Sequence, residues 1–166
     1  MSPRLVLVGP PGSGKTTVGE QVAKRLGVDF RDTDRDIETA AGMRIADIFV
    51  EHGEPHFRRL ERAAVVRALA EHDGVMAVGG GAILDPDTRA DLAEHRVVYL
   101  EVRPEQAAKR VGLDTSRPLL LGNVRGQLKK LLQERRPWYE QVATVRVATD
   151  GRATEDVVAA VEGDAP

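Results

Sequence analysis

Apolar residues fall in short blocks along this chain, and the blocks alternate between two periods. Leu5-Val6-Leu7-Val8 is an unbroken apolar run, the pattern of a strand buried on both faces. Residues 18–26 repeat their apolar positions at helical intervals and predict a helix. Residues 28–32 predict a short second strand, 34–41 a helix ending at Gly42, and 45–50 a further helix stopped near Gly53. In 54–72, Phe57, Leu60, Ala64, Ala68 and Leu69 recur at roughly helical spacing, so a long helix is expected there. Residues 75–78 read as a buried strand ending in Gly79-Gly80-Gly81. Asp85 and Pro86 open a helix through Ala93, 96–102 is the strongest strand, and 104–110 is a helix. Residues 112–123 have no clear period and read as a mobile loop. Residues 124–141 predict a helix that Pro137 should end or kink, 144–148 a last strand, and 154–161 a closing helix.

Five short apolar strands with intervening helices imply an α/β fold with a parallel sheet covered on both faces. Ligands of such sheets sit beyond the carboxyl ends of the strands. At 166 residues the chain is expected to form one domain, 1–166, with a core that needs no covalent staples. Its 42% hydrophobic and 30% charged residues, a net charge of −2 and scattered Lys and Arg carry no nucleic-acid footprint. There is no cysteine, which excludes disulfides, thiolate nucleophiles and thiolate metal sites. No signal peptide fits before the first strand and no apolar run reaches membrane-spanning length, so a soluble, cytoplasmic monomer is expected.

The strongest chemical signal lies directly after the first strand. Gly9-Pro10-Pro11-Gly12-Ser13-Gly14-Lys15-Thr16-Thr17 fits the phosphate-binding loop G-x-x-x-x-G-K-[ST], and its strand–loop–helix setting is the one the motif requires. Glycines let the backbone curl so that successive N–H groups point at one anion, and the following helix adds the positive end of its dipole. Gly12, Ser13, Gly14, Lys15, Thr16 and Thr17 are therefore expected to bind a nucleoside triphosphate, with Lys15 on the β- and γ-phosphates and the Thr16 hydroxyl on Mg²⁺.

Three further clusters should share that edge of the sheet: Asp32-Thr33-Asp34, Gly79-Gly80-Gly81 and the region of Arg152. If the backbone at Asp32 and Asp34 is extended, the two carboxylates point the same way. Asp32 is then a candidate metal carboxylate and Asp34 a candidate base; the alternative is that both are loop residues or helix caps. The three glycines admit a ligand to the backbone or form a tight turn. Arg58 and Glu61 form either a surface ion pair or a device that aims Arg58 at a carboxylate. Arg117, in the loop, is either a lid residue or a solvated one. The histidines, His52, His56, His72 and His95, show no metal spacing and read as surface residues.

As an ordered set, these features resemble the shikimate kinases from about Leu5 to the last helix. The set is Gly-Ser-Gly-Lys-Thr-Thr at 12–17, Asp32-Thr33-Asp34, Ile45-Ala46-Asp47-Ile48-Phe49, Phe57-Arg58-Arg59-x-Glu61, Gly79-Gly80-Gly81, Arg117-Pro118-Leu119 and Arg135-x-Pro137-x-Tyr139. The resemblance implies a P-loop, nucleoside-monophosphate-kinase-like three-layer fold with a five-stranded parallel sheet, a helical substrate-binding region at about 33–61 and a lid at about 112–123. It implies transfer of the γ-phosphoryl group of ATP to the 3-hydroxyl of shikimate with Mg²⁺, a step of aromatic amino-acid synthesis. Asp34 would bind shikimate hydroxyls and act as, or near, the base. Arg58 and Arg135 would clamp the shikimate carboxylate, with Gly79, Gly80 and Gly81 lining that site. Lys15 and Arg117 would stabilise the transferring group, Thr16 with Asp32 nearby would hold Mg²⁺, and Arg110 and Arg152 would lie near adenine. Arg135 rather than Arg136 is selected because Pro137 lies two residues on. A gluconate-type kinase shares the loop and the sheet, but the triple glycine and Phe57-Arg58-Arg59 favour shikimate. A nucleotide switch would carry an Asp after an apolar strand and guanine-reading motifs, and the chain has neither.

Overall fold

The sheet is assembled around its first strand. The computed structural model describes residues 2–111 and 124–163. The expected lid, 112–123, with Arg117, lies outside the described residues. The elements run β1 (Leu5–Val8), α1 (Lys15–Leu26), β2 (Phe30–Asp32), α2 (Thr33–Ala41), α3 (Ile45–His52), α4 (Glu54–Glu71), β3 (Val75–Ala77), a 3₁₀ turn at Ala82–Leu84, α5 (Pro86–Leu92), β4 (Val97–Glu101), α6 (Pro104–Val111), α7 (Val124–Val142), β5 (Val145–Ala148) and α8 (Thr154–Gly163). The strands pair in the order β2-β3-β1-β4-β5, all parallel. In register, Leu7 lies beside Ala77 on one side and Val98 on the other.

The unbroken apolar runs follow from burial on both faces. Val6, Val8, Met76, Val97 and Tyr99 pack with residues of α4, α5 and α7, among them Val65, Leu92 and Tyr139. Leu5, Leu7, Val75, Val98 and Leu100 pack against Val18 and Val22 of α1 and Val157, Val158 and Val161 of α8. Each such side chain contributes about 1.5–3 kcal/mol when removed from water. Ile37, Ile45, Ile48 and Phe57 form a separate small core that joins α2, α3 and the start of α4. Among the described residues, no helix is long and apolar enough to cross a membrane.

Four local expectations need correction. Helix α1 begins at Lys15 rather than residue 18, because Gly14 caps it in a left-handed conformation and the loop turns straight into the helix. Strand β2 is shorter than the expected 28–32. Pro137 does not end α7, which continues to Val142. An internal proline costs about 3 kcal/mol or more, but Tyr139 and Val142 beyond it are both buried against the sheet, and their burial is of the same size or larger. Finally, His72 is not a surface residue. It is buried, and its Nε2 lies 3.2 Å from the Asp29 carbonyl oxygen and 2.9 Å from that of Val75. A nitrogen facing two carbonyl oxygens must carry the proton, so this imidazole ties the starts of β2 and β3 together.

Candidate active site

The loop after β1, the end of β2, the glycines after β3 and the segments after β4 and β5 meet at one edge of the sheet, as parallel topology requires. Gly12 and Gly14 take positive φ angles of 81° and 90°, which a side chain would resist. Lys15 Nζ donates to the carbonyls of Gly9 at 2.7 Å and Pro10 at 3.1 Å, which holds the ammonium across its own loop. Thr16 Oγ1 donates to Asp32 Oδ2 at 2.8 Å. The other oxygen of Asp32 accepts the Asp34 backbone N–H at 2.9 Å and caps α2. Asp32 is therefore a helix cap, one of the readings left open by the sequence, and it also accepts from the loop threonine. Extended alternation is not what brings Asp34 to the site, because Asp34 sits in the first turn of α2. A cleft beside the loop is lined by Lys15, Thr16, Asp32 and Asp34.

The triple glycine is pressed between four residues. A Cβ on Gly79 would lie 2.6 Å from Asp34 Oδ1 and 2.9 Å from Glu61 Oε2. One on Gly80 would lie 3.0 Å from Pro11 Cδ of the phosphate loop. One on Gly81 would fall 2.6 Å from Arg58 Nη2 and closer still to Nη1. Three glycines in a row are explained by three separate close approaches, not by one turn.

Arg58 and Glu61 are not a surface pair. Arg58 Nη1 donates to Glu61 Oε1 at 2.9 Å, and the Glu61 side chain is 5% exposed. Glu54, one turn earlier, accepts from Arg58 Nε and Nη2 at 3.3 and 3.1 Å. Burial pushes the Glu61 carboxyl up from its ordinary value, and Asp34 adds to this, while Arg58 and Arg135 oppose it. Burial also works against the charge of Arg58, but Glu61 and Glu54 outweigh it and hold the guanidinium firmly ionised. Arg135, on α7, is 7% exposed and faces this cluster. Arg136 points outward to Glu140 at 2.7 Å with a side chain 64% exposed. The contrast between neighbours matches the register chosen from Pro137.

On the other side of the loop, a cavity of about 230 Å³ is lined by Ser13, Thr17, Arg110, Thr149 and Arg152. Arg110 Nη1 donates to the Gly12 carbonyl at 2.8 Å, so it braces the phosphate loop directly. Arg152 bonds the Ala148 and Asp156 carbonyls at 3.1 and 3.4 Å and borders the same cavity. The structure thus brings Gly12–Thr17, Asp32, Asp34, Arg58, Gly79–Gly81, Arg110, Arg135 and Arg152 to one edge. Two partners were missed from sequence. Glu54 was detectable from its i,i+4 spacing to Arg58. The contact of Tyr139 with Gly80, 2.5 Å from hydroxyl to carbonyl oxygen, spans 59 positions and left no local signal.

The donor set at Thr16 and Asp32, one hydroxyl and one carboxylate, suits a hard cation such as Mg²⁺ that keeps water and phosphate oxygens as its other ligands. Among the described residues, no cluster of three or more His, Asp or Glu could hold a metal ion.

Comparison with known proteins identifies the family. The shikimate kinase family model matches residues 11–163. A shikimate kinase of Thermobifida fusca is 58% identical over 164 residues, covering 99% of this chain and 95% of that one. One from Streptomyces avermitilis is 61% identical over 159 residues, covering 96% and 93%. Among solved structures, shikimate kinase from Acinetobacter baumannii in complex with shikimate superposes with a TM-score of 0.92 at 37% identity, covering 97% of this chain and 91% of that one.

Proposed function

The chain belongs to the shikimate kinase family and is an ATP-dependent kinase that phosphorylates shikimate, and from that premise we propose how its residues divide the work. Asp34 receives or orients the 3-hydroxyl of shikimate. Arg58 and Arg135 hold the substrate carboxylate, and Gly79, Gly80 and Gly81 line its site. Lys15 neutralises charge on the transferring γ-phosphoryl group, with the loop N–H groups of Gly12–Thr17 holding the phosphates. Thr16 and Asp32 would hold Mg²⁺, which when bound neutralises the β- and γ-phosphate oxygens. Arg110 and Arg152 border the adenine cavity. Arg117 is assigned to the phosphoryl group, and 112–123 to the lid, on sequence alone. The proposed organisation is a single domain whose 33–61 region carries the acceptor, in a monomeric cytoplasmic enzyme.

The observation that supports this division most directly is the line of charge around the glycines. Asp34 shares the cleft beside the phosphate loop with Lys15 and Thr16, Asp34 and Glu61 both face Gly79, Arg58 faces Gly81, and Arg58 and Arg135 act on Glu61. The order suits an acceptor with a hydroxyl at one end and a carboxylate at the other. A coupled ADP-release assay with Mg²⁺-ATP tests it, comparing shikimate, gluconate and no acceptor. Turnover with shikimate alone is expected; equal turnover with gluconate would remove the assignment of Arg58 and Arg135.

Two substitutions test the carboxylate clamp. Arg135→Ala is expected to raise the shikimate KM roughly 30- to 100-fold, the range for losing hydrogen bonds between charged groups. Arg136→Ala should change it by less than about fivefold, because an exposed pair contributes at most about 1 kcal/mol. Equal effects in steady-state kinetics would place the clamp on the wrong arginine. Gly81→Ala puts a methyl group where the Arg58 guanidinium lies. Glu54 and Glu61 pin that guanidinium on two edges, so it cannot yield without breaking an ion pair. A rise of about tenfold or more in shikimate KM with an unchanged ATP KM is expected, and an unchanged shikimate KM would show that Arg58 is not part of the site.

A further inference from the structure

We propose that Tyr139 is a positioning residue for the acceptor site, its hydroxyl fixing both the Gly80–Gly81 peptide and the Arg135 guanidinium. The proposal rests on the assignment of Gly80, Gly81 and Arg135 to shikimate binding.

Tyr139 is 1% exposed, and its ring stacks on Tyr99 with centroids 5.1 Å apart. Nothing in the phosphoryl-transfer chemistry needs a phenol there, and packing alone would be served by Phe. The hydroxyl nevertheless donates to the Gly80 carbonyl at 2.5 Å. Arg135, one helical turn earlier, acts on the same phenol. A guanidinium only donates, so the phenol oxygen is the atom that can receive it while the phenol proton goes to Gly80. Two bonds running head to tail in this way would strengthen each other. Burial, the largest influence on the phenol, drives its ionisation far above the ordinary tyrosine range, so it remains a donor at any working pH.

The consequence reaches the substrate side through peptide geometry. The backbone has no cis peptide bond among the described residues, and across a trans peptide the C=O and the next N–H point in opposite directions. Fixing the Gly80 carbonyl on Tyr139 therefore aims the Gly81 N–H away from α7. Glycine on both sides of this bond leaves no Cβ to resist a flip, so the lock has to come from outside. Beyond it, Gly80 abuts Pro11 of the phosphate loop and Gly81 abuts Arg58. One hydroxyl thus sets the relation between Arg135 and the backbone that faces Arg58.

The test is Tyr139→Phe, which keeps the stacked ring and removes only the hydroxyl. The shikimate KM should rise about tenfold, as for one hydrogen bond between polar groups. The kcat should change less than about threefold, and the ATP KM should not move. In a cycle with Arg135→Ala, the double variant should show a KM increase well below the product of the single effects. A lower melting temperature with unchanged shikimate KM would overturn the proposal, since it would leave Tyr139 a merely structural role. So would equal losses in kcat and both KM values, or strict multiplicativity with Arg135→Ala. If Arg135→Ala raises KM and Tyr139→Phe does not, the positioning role fails and the clamp stands. If neither raises it, the clamp itself is wrong.

Discussion

Lys15→Met is expected to lower kcat by about two to three orders of magnitude, the range for removing one preorganised charge-stabilising donor. Methionine keeps the length and apolar stem of the side chain, and the helix that starts at residue 15 tolerates it. What is lost is the ammonium that spans the loop between the Gly9 and Pro10 carbonyls. Those two bonds fix Nζ over the concave side of the loop, at the helix N-terminus where the phosphates are received. The backbone N–H groups survive the substitution, so the ATP KM should rise far less than kcat falls. That split separates a group acting mainly in the transition state from one that merely holds nucleotide. Steady-state kinetics with a melting curve on the same sample checks it. A kcat within tenfold of the unaltered enzyme would remove Lys15 from the reaction.

How much of this was legible in the sequence depends on the distance over which each signal acts. The phosphate loop is a run of consecutive residues, so its strand–loop–helix setting was legible, although the helix starts at Lys15 rather than residue 18. The strands around it announced themselves because burial on both faces leaves no polar position in Leu5-Val6-Leu7-Val8. Fold class and strand positions followed from these local patterns. The sheet order could not, because pairing β1 between β3 and β4 is decided by contacts across the chain.

Around the proposed site, single residues were visible while their relations were not. Asp32 and Asp34 were singled out with two backbone readings open, and the cap is the one found: a bond from Asp34 N–H to Asp32 starts a helix at Thr33. Arg58 and Glu61 were identified as a pair, but only burial against the glycines distinguishes an aimed guanidinium from a surface one. Propensity misjudged Pro137 because packing beyond it outweighs the missing bond. His72 looked like a surface residue because nothing nearby in sequence shows that it closes the gap between two strands.

Asp34→Asn carries the other large expected effect, a fall in kcat of about a thousandfold, within the range for general acid–base groups. Two carboxylates flank Gly79, and either could serve the acceptor hydroxyl. Their surroundings separate them. Glu61 is buried, its Oε1 is engaged by Arg58, and burial pushes its carboxyl up from the ordinary value. Asp34 lines the cleft that also holds Lys15 and Thr16, which is why the acceptor hydroxyl is assigned to it. Asparagine is nearly isosteric and keeps one accepting oxygen, which lets the substrate still be oriented, so the shikimate KM should rise less than about tenfold. It cannot take up a proton or carry the negative charge that raises the nucleophilicity of a bound hydroxyl. If kcat stayed within tenfold while KM rose strongly, Asp34 would orient the acceptor and nothing more. That outcome would fit a loose transition state in which the nucleophile needs little help from a base. The same kinetics on a variant with an unchanged melting temperature therefore decides between the two roles that the geometry allows this residue.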